Sequence, residues 1–150
     1  MDQGRYTEFQ QINFMLLSIS TLYHDTLVKF GLTDNIGLIL RFLNEFGDHC
    51  PLSSIYKTMG IRKQTINSSI RKLEAQGILY LEQTDGRSKR VVLTQKGKEL
   101  ADSTVAQIHN AEVHALDDWT QEEIQTYILT LSKLHASLKR ELDKLDYPEE

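Results

Sequence analysis

The chain has 150 residues, 40% of them apolar and 25% charged, the size and composition of a single soluble domain able to bury its own core. This excludes a membrane span, which needs about 20 consecutive apolar residues, because the early run Phe14–Leu17 is soon interrupted by Ser18, Ser20 and Thr21. With Cys50 as the single cysteine, an intrachain disulfide and a cysteine metal cluster are excluded too, and the formal net charge of −4 argues at first against a polyanionic partner.

In chain order, Phe9, Ile12, Leu16, Ile19, Tyr23, Leu27 and Phe30 step by three or four, which predicts one long helix from Tyr6 to Phe30. Gly31 closes it as a C-cap. Thr33 or Asp34 caps a second helix carrying Ile36, Ile39, Leu40, Leu43 and Phe46, which stops at Gly47. After Pro51, Ser53 or Ser54 opens a short helix with Ile55 and Met59, and Gly60 ends it. A fourth helix, Arg62 to Gln76, places Ile66, Ile70 and Leu73 on one face and ends at Gly77. Two short helices around a glycine turn make a helix-turn-helix. The period then drops to two at Ile78–Leu81 and Val91–Leu93. The Asp85-Gly86 pair between them is the mark of a tight hairpin of type I′. Thr94 caps a further helix through Leu100, Val105 and Ile108 towards Leu116. A last helix follows Thr120, with the stripe Ile124, Ile128, Leu131, Leu138, Leu142 and Leu145 widened by Tyr127 and Leu134. Trp119 and Tyr127 are expected to fill core.

The distribution of charge reverses the first impression. Between Pro51 and Lys98 lie ten basic residues against three acidic ones, leaving seven basic and eighteen acidic elsewhere. That is a basic face on an acidic body, as a phosphate backbone requires. With its apolar residues turned inward, the fourth helix presents Gln64, Asn67, Ser68 and Arg71 outward at 100° per residue, and Arg62 and Lys63 stand at its start beside unpaired amides. A helix fits the major groove, where Arg, Asn and Gln pair with base edges and Lys and Ser reach phosphates. The hairpin adds Arg87, Ser88, Lys89 and Arg90, a cationic finger suited to the minor groove. Asp85 is placed to hold the Arg87 guanidinium.

The stretch EQTDGRSKRVVLTQKGKEL resembles the wing of MarR-family regulators, with Asp85, Arg87, Leu93, Thr94 and Gly97 on the family's D-x-R…LT-x-x-G pattern. RKLEAQGIL is similar to the family's end of recognition helix and first wing strand, through Leu73, Glu74, Gly77 and Ile78, and GLTDNIGLIL to the entry of its second helix. The likeness runs from about Gly31 to Leu100; the flanks agree in being long helices. Two positions depart from the pattern: Ser68, where many members carry a basic residue, and Tyr56, where a small residue usually packs between the helices.

The resemblance implies a mainly α fold with a small β-hairpin wing, one domain over 1–150. Its winged helix-turn-helix lobe is 33–100, and helices from 1–32 and 101–150 join two copies. Ile12, Leu16, Ile19, Ile128, Leu131, Leu138 and Leu142 are the expected dimerisation residues. The implied partner is a near-palindromic double-stranded operator. Occupancy represses transcription, and a small effector, such as an aromatic acid lodged where the dimer helices meet the reading heads, releases it. Asp2, Arg5 and Glu8 do not make a secretory signal, and the cytoplasm is the expected location. Neither a cofactor nor a metal is expected. His109 and His114 are five residues apart, poor spacing for one helix face, and His49 beside Cys50 makes a thin ligand pair. Cys50, unlike the first-helix sensing cysteine of some relatives, is expected to be a buried, idle thiol. No phosphate loop, Ser-His-Asp order or paired carboxylates suggest an enzyme. The competing reading is a winged helix that binds protein and has little affinity for duplex DNA.

Overall fold

The computed structural model describes residues 3–47, 50–84, 86 and 88–145; Asp85, Arg87 and His49 lie outside them. Among the described residues the elements are α1 (Gln3–Lys29), α2 (Asp34–Phe46), β1 (Cys50–Pro51), α3 (Leu52–Thr58), α4 (Lys63–Ala75), β2 (Leu79–Gln83), β3 (Lys89–Leu93), α5 (Gln95–Ser103), α6 (Val105–His114) and α7 (Gln121–Leu142). The chain divides after Asn110 into two compact units. No described helix is long and apolar enough to cross a membrane.

In the first unit, Ile36, Ile39, Leu40 and Leu43 of α2 meet Ile55 of α3 and Ile66, Ile70 and Leu73 of α4. Side chains of this size contribute about 2 kcal/mol each when fully buried, so the apolar spacing of α2 and α4 is what closes the lobe. Thr33 is the residue that caps α2, its hydroxyl accepting from the Ile36 amide. At the α1–α2 corner the His24 Nδ1–H donates to the Asp34 carboxylate at 3.0 Å. Leu27 is the one buried residue of α1.

The sheet is antiparallel in the order β1-β3-β2, and its third strand was not legible as one: Cys50 and Pro51 pair with Val91 and Arg90. Pro51 also displaces Ser53 and Ser54 as the opening of α3, where it stands as an N-cap without a side-chain hydrogen bond. The hairpin is longer than the Asp-Gly pair implied. Its ladder closes at Gln83 opposite Lys89, and beyond it the Thr84 amide donates to the Ser88 carbonyl at 3.0 Å.

Gly77 and Gly97 fix the wing to the helices. At Gly77 (φ 68°) the amides of Gly77 and Ile78 donate to the carbonyls of Glu74 and Leu73, a Schellman closure that a residue with a Cβ resists. Thr94 then ties the far end of β3 back to this turn. Its hydroxyl lies 2.7 Å from the Gly77 carbonyl and accepts from the Gly97 amide, while its own amide donates to the Ile78 carbonyl. Gly97 packs so close that a Cβ there would stand 2.0 Å from the Ile78 oxygen.

The helix expected from Thr94 to Leu116 is broken. Thr104, buried, adopts φ −130° and ψ −85° between α5 and α6, and its hydroxyl donates to the Leu100 carbonyl at 2.6 Å. A threonine bonding back to the carbonyl four residues earlier bends a helix, and here it turns Ala101 and Val105 both into the core.

In the second unit, Thr120 and Glu123 form a reciprocal capping box at the start of α7. The Thr120 amide and hydroxyl hold the Glu123 carboxyl below its ordinary range. Trp119 and Tyr127 do not fill core: both are exposed and meet edge-to-face at 5.8 Å. The reason is local, since α7 buries none of its 22 residues and none of this unit's described residues is buried.

Candidate nucleic-acid interface

The burial of Ile66, Ile70 and Leu73 orients α4, and its opposite face follows. Arg62, Lys63, Gln64, Asn67, Ser68 and Arg71 are all exposed, and Gln64, Asn67, Ser68 and Arg71 line one shallow recess. The helix proper begins at Lys63, one residue later than the sequence suggests. Arg62 is its N-cap, with no side-chain hydrogen bond to the first-turn amides. Those amides and the flanking cations favour a negative charge, and the first carboxylate along the helix is Glu74.

Of the wing residues, Ser88, Lys89 and Arg90 are exposed and share a crevice with Thr84 and, from α3, Leu52, Ser53 and Tyr56. Arg90 stands opposite Glu82 on the neighbouring strand, a cross-strand carboxylate that tempers its charge. Lys96, counted among the ten basic residues, is partly committed elsewhere: its ammonium donates to the Gln76 carbonyl at 2.9 Å.

Tyr56 joins the two surfaces, and sequence reasoning missed its role. It walls the wing crevice, its hydroxyl donates to Asn67 Oδ1, and its ring lies under the Lys63 ammonium at 5.6 Å from the centroid, a cation–π distance. The available signal was the departure itself, a phenol where helices of this kind usually pack a small residue.

Cys50 is fully buried, and burial pushes its thiol up to about 11. The thiolate is the reactive form, so native protein at pH 7 should resist iodoacetamide while unfolded protein is alkylated completely. Equal labelling rates in the two states would contradict the burial of Cys50 in the core beside β3.

Comparison with known proteins agrees with this geometry. The MarR family model matches residues 30–90. No curated protein matches the chain in sequence. Among solved structures, a MepR–DNA complex from S. aureus is similar at 20% identity, covering 85% of this chain and 94% of that one with a TM-score of 0.70. A putative MarR-family regulator from Listeria monocytogenes complexed with 26mer DNA gives 16% identity, 95% and 97% coverage and a TM-score of 0.68. A MarR-family transcriptional regulator from Rhodococcus sp. RHA1 gives 20% identity, 83% and 92% coverage and a TM-score of 0.63. At these identities the likeness establishes the fold, helical with a winged sheet.

Proposed function

We propose that this chain, which the MarR family model matches over residues 30–90, is a winged-helix regulator of that family that binds double-stranded DNA as a homodimer and represses transcription by occupying an operator. One observation carries the reading. The recess of Gln64, Asn67, Ser68 and Arg71 and the crevice of Ser88, Lys89 and Arg90 are linked through Tyr56, which lines the crevice and hydrogen-bonds Asn67 of the recess, so that helix and wing present polar and basic groups side by side. In this reading α4 enters the major groove, and Arg62 and Lys63 reach phosphates at its start. The wing follows the adjacent minor groove through Lys89 and Arg90, joined by Asp85 and Arg87, which the sequence carries in the same segment. The lobe 33–100 does the reading, and 1–32 with 101–150 hold two lobes at half-site spacing.

Support for the dimer is the apolar surface that a single copy leaves in water. On α1, Phe14, Leu17 and Leu22 are 68%, 66% and 67% exposed, and of the expected contacts Ile12, Leu16, Ile19, Ile128, Leu138 and Leu142 are exposed while Leu131 is half-buried. Large apolar side chains exposed in number along one helix mark an interaction face. A two-fold pair of such surfaces matches a near-palindromic site. A small effector that favours a different lobe spacing would release the DNA, and the cytoplasm is the compartment this activity requires.

The test is a gel shift on duplexes that flank the protein's own coding sequence, with salt titration, beside sedimentation at micromolar concentration. We expect a dimer whose log affinity falls steeply with log salt, as several phosphate contacts demand. Leu16→Asp should convert it to monomer and weaken operator binding together. Absence of duplex binding at low salt would favour the protein-binding alternative.

A further inference from the structure

We propose that Tyr56 is a specificity-determining positioning residue: by holding Asn67 Oδ1, it makes Asn67 read the acceptor edge of guanine instead of adenine. This rests on the reading above that the outer face of α4 meets the bases.

An asparagine carboxamide carries one acceptor oxygen and one donor nitrogen. Left to itself on a recognition helix, it pairs bidentately with adenine, accepting from N6 and donating to N7. Here one of the oxygen's two lone pairs is taken by the Tyr56 hydroxyl, which comes from a different helix, α3, and that bond disfavours the orientation in which the oxygen faces a base. The side chain is therefore held at both ends, by its own backbone on α4 and by the phenol. The polar atom that the phenol does not hold is Nδ2, which only donates. A lone donor is best matched by guanine, whose O6 and N7 acceptors lie side by side in the major groove. The phenol is held in turn, because the Lys63 ammonium stands over its ring, and Lys63 lies one turn before Asn67 on the same face. Lys63, Tyr56 and Asn67 thus form one chain of contacts, and Asn67 enters the groove with its orientation already chosen.

The experiment is selection from duplexes with randomised half-sites, using the intact dimer as wild type, Asn67→Ala and Tyr56→Phe. Tyr56→Phe keeps the ring beneath Lys63 and removes one exposed hydroxyl, so its unfolding midpoint should match the wild type. We expect Asn67→Ala to erase preference at one G·C pair in each half-site. Tyr56→Phe should lower the guanine-over-adenine ratio at that same pair at least fivefold, equivalent to about 1 kcal/mol, while binding to random DNA stays within twofold. An Asn67-dependent pair that is A·T in the wild type, or one that Tyr56→Phe leaves unaltered, overturns the proposal. So does a wild-type preference that Asn67→Ala does not change at any position. A wild type that selects no sequence would instead bring down the DNA-binding reading itself.

Discussion

Gly97→Ala should destabilise the winged-helix unit by about 2 kcal/mol or more, the upper part of the range for overpacking. Two effects oppose each other. Alanine is the better helix former by about 1 kcal/mol, and Gly97 lies inside α5. Against that, the new Cβ would stand 2.0 Å from the Ile78 oxygen and 3.0 Å from its carbonyl carbon, and a backbone carbonyl cannot rotate away as a side chain can. Relief requires α5 to lift from the start of β2, and that motion strains the bond from the Thr94 amide to the same Ile78 carbonyl. The steric term wins. Gly37 provides the contrast: a Cβ there would meet Leu27 side-chain atoms, the nearest at 2.5 Å, and these can shift within their contact with α2. Urea unfolding at equal protein concentration should therefore rank wild type above Gly37→Ala and Gly37→Ala above Gly97→Ala. A Gly97→Ala midpoint at or above the wild-type value would show that the close approach does not exist in solution.

Gly97 also shows what the sequence pattern did and did not say. The LT-x-x-G stretch was legible as part of a wing signature, yet its physical content is an anchor: Thr94 caps α5 and clasps the Gly77–Ile78 turn, and Gly97 makes room for it. Helices α2 and α4 were legible because one-sided burial leaves a 3.6-residue period in Ile36, Ile39, Leu40 and Leu43 and in Ile66, Ile70 and Leu73. The same period located the exposed side chains of the recess by subtraction. The short strand β1 left no such trace, since two residues cannot show a period of two and one of them is a proline at the sheet edge. The break at Thr104 was hidden for another reason: no glycine or proline marks it, and it arises from a buried hydroxyl returning to the Leu100 carbonyl. Tyr56 was visible only as an anomaly. Its hydrogen bond joins residues eleven apart on different helices, a relation that a periodicity along one helix cannot contain.

Reversing the charge at Arg71 should cost at least a hundredfold in operator affinity while leaving stability unchanged. Arg71 is exposed and lines the recess with Gln64, Asn67 and Ser68, so its removal touches none of the core around Ile70. Substitutions at such positions usually stay within about 0.5 kcal/mol of the wild-type stability. For binding, the loss of one guanidinium contact is worth about 1–3 kcal/mol, and a two-fold complex loses it twice. Even the lower end, doubled and joined by repulsion between the new carboxylate and phosphate oxygens, passes the 2.8 kcal/mol that corresponds to a hundredfold. Three variants separate the causes. Arg71→Lys keeps the charge and loses the planar fork, so it should retain affinity for random duplex and lose preference for the operator. Arg71→Ala should lose both moderately, and Arg71→Glu both severely. Each is measured by fluorescence anisotropy on operator and scrambled duplexes across a salt series, with the unfolding midpoint taken alongside. If Arg71→Glu binds the operator as tightly as the wild type, the outer face of α4 does not meet DNA. The basic surface joined at Tyr56 would then have to serve a protein partner, for which an acidic peptide segment is the chemistry to try first.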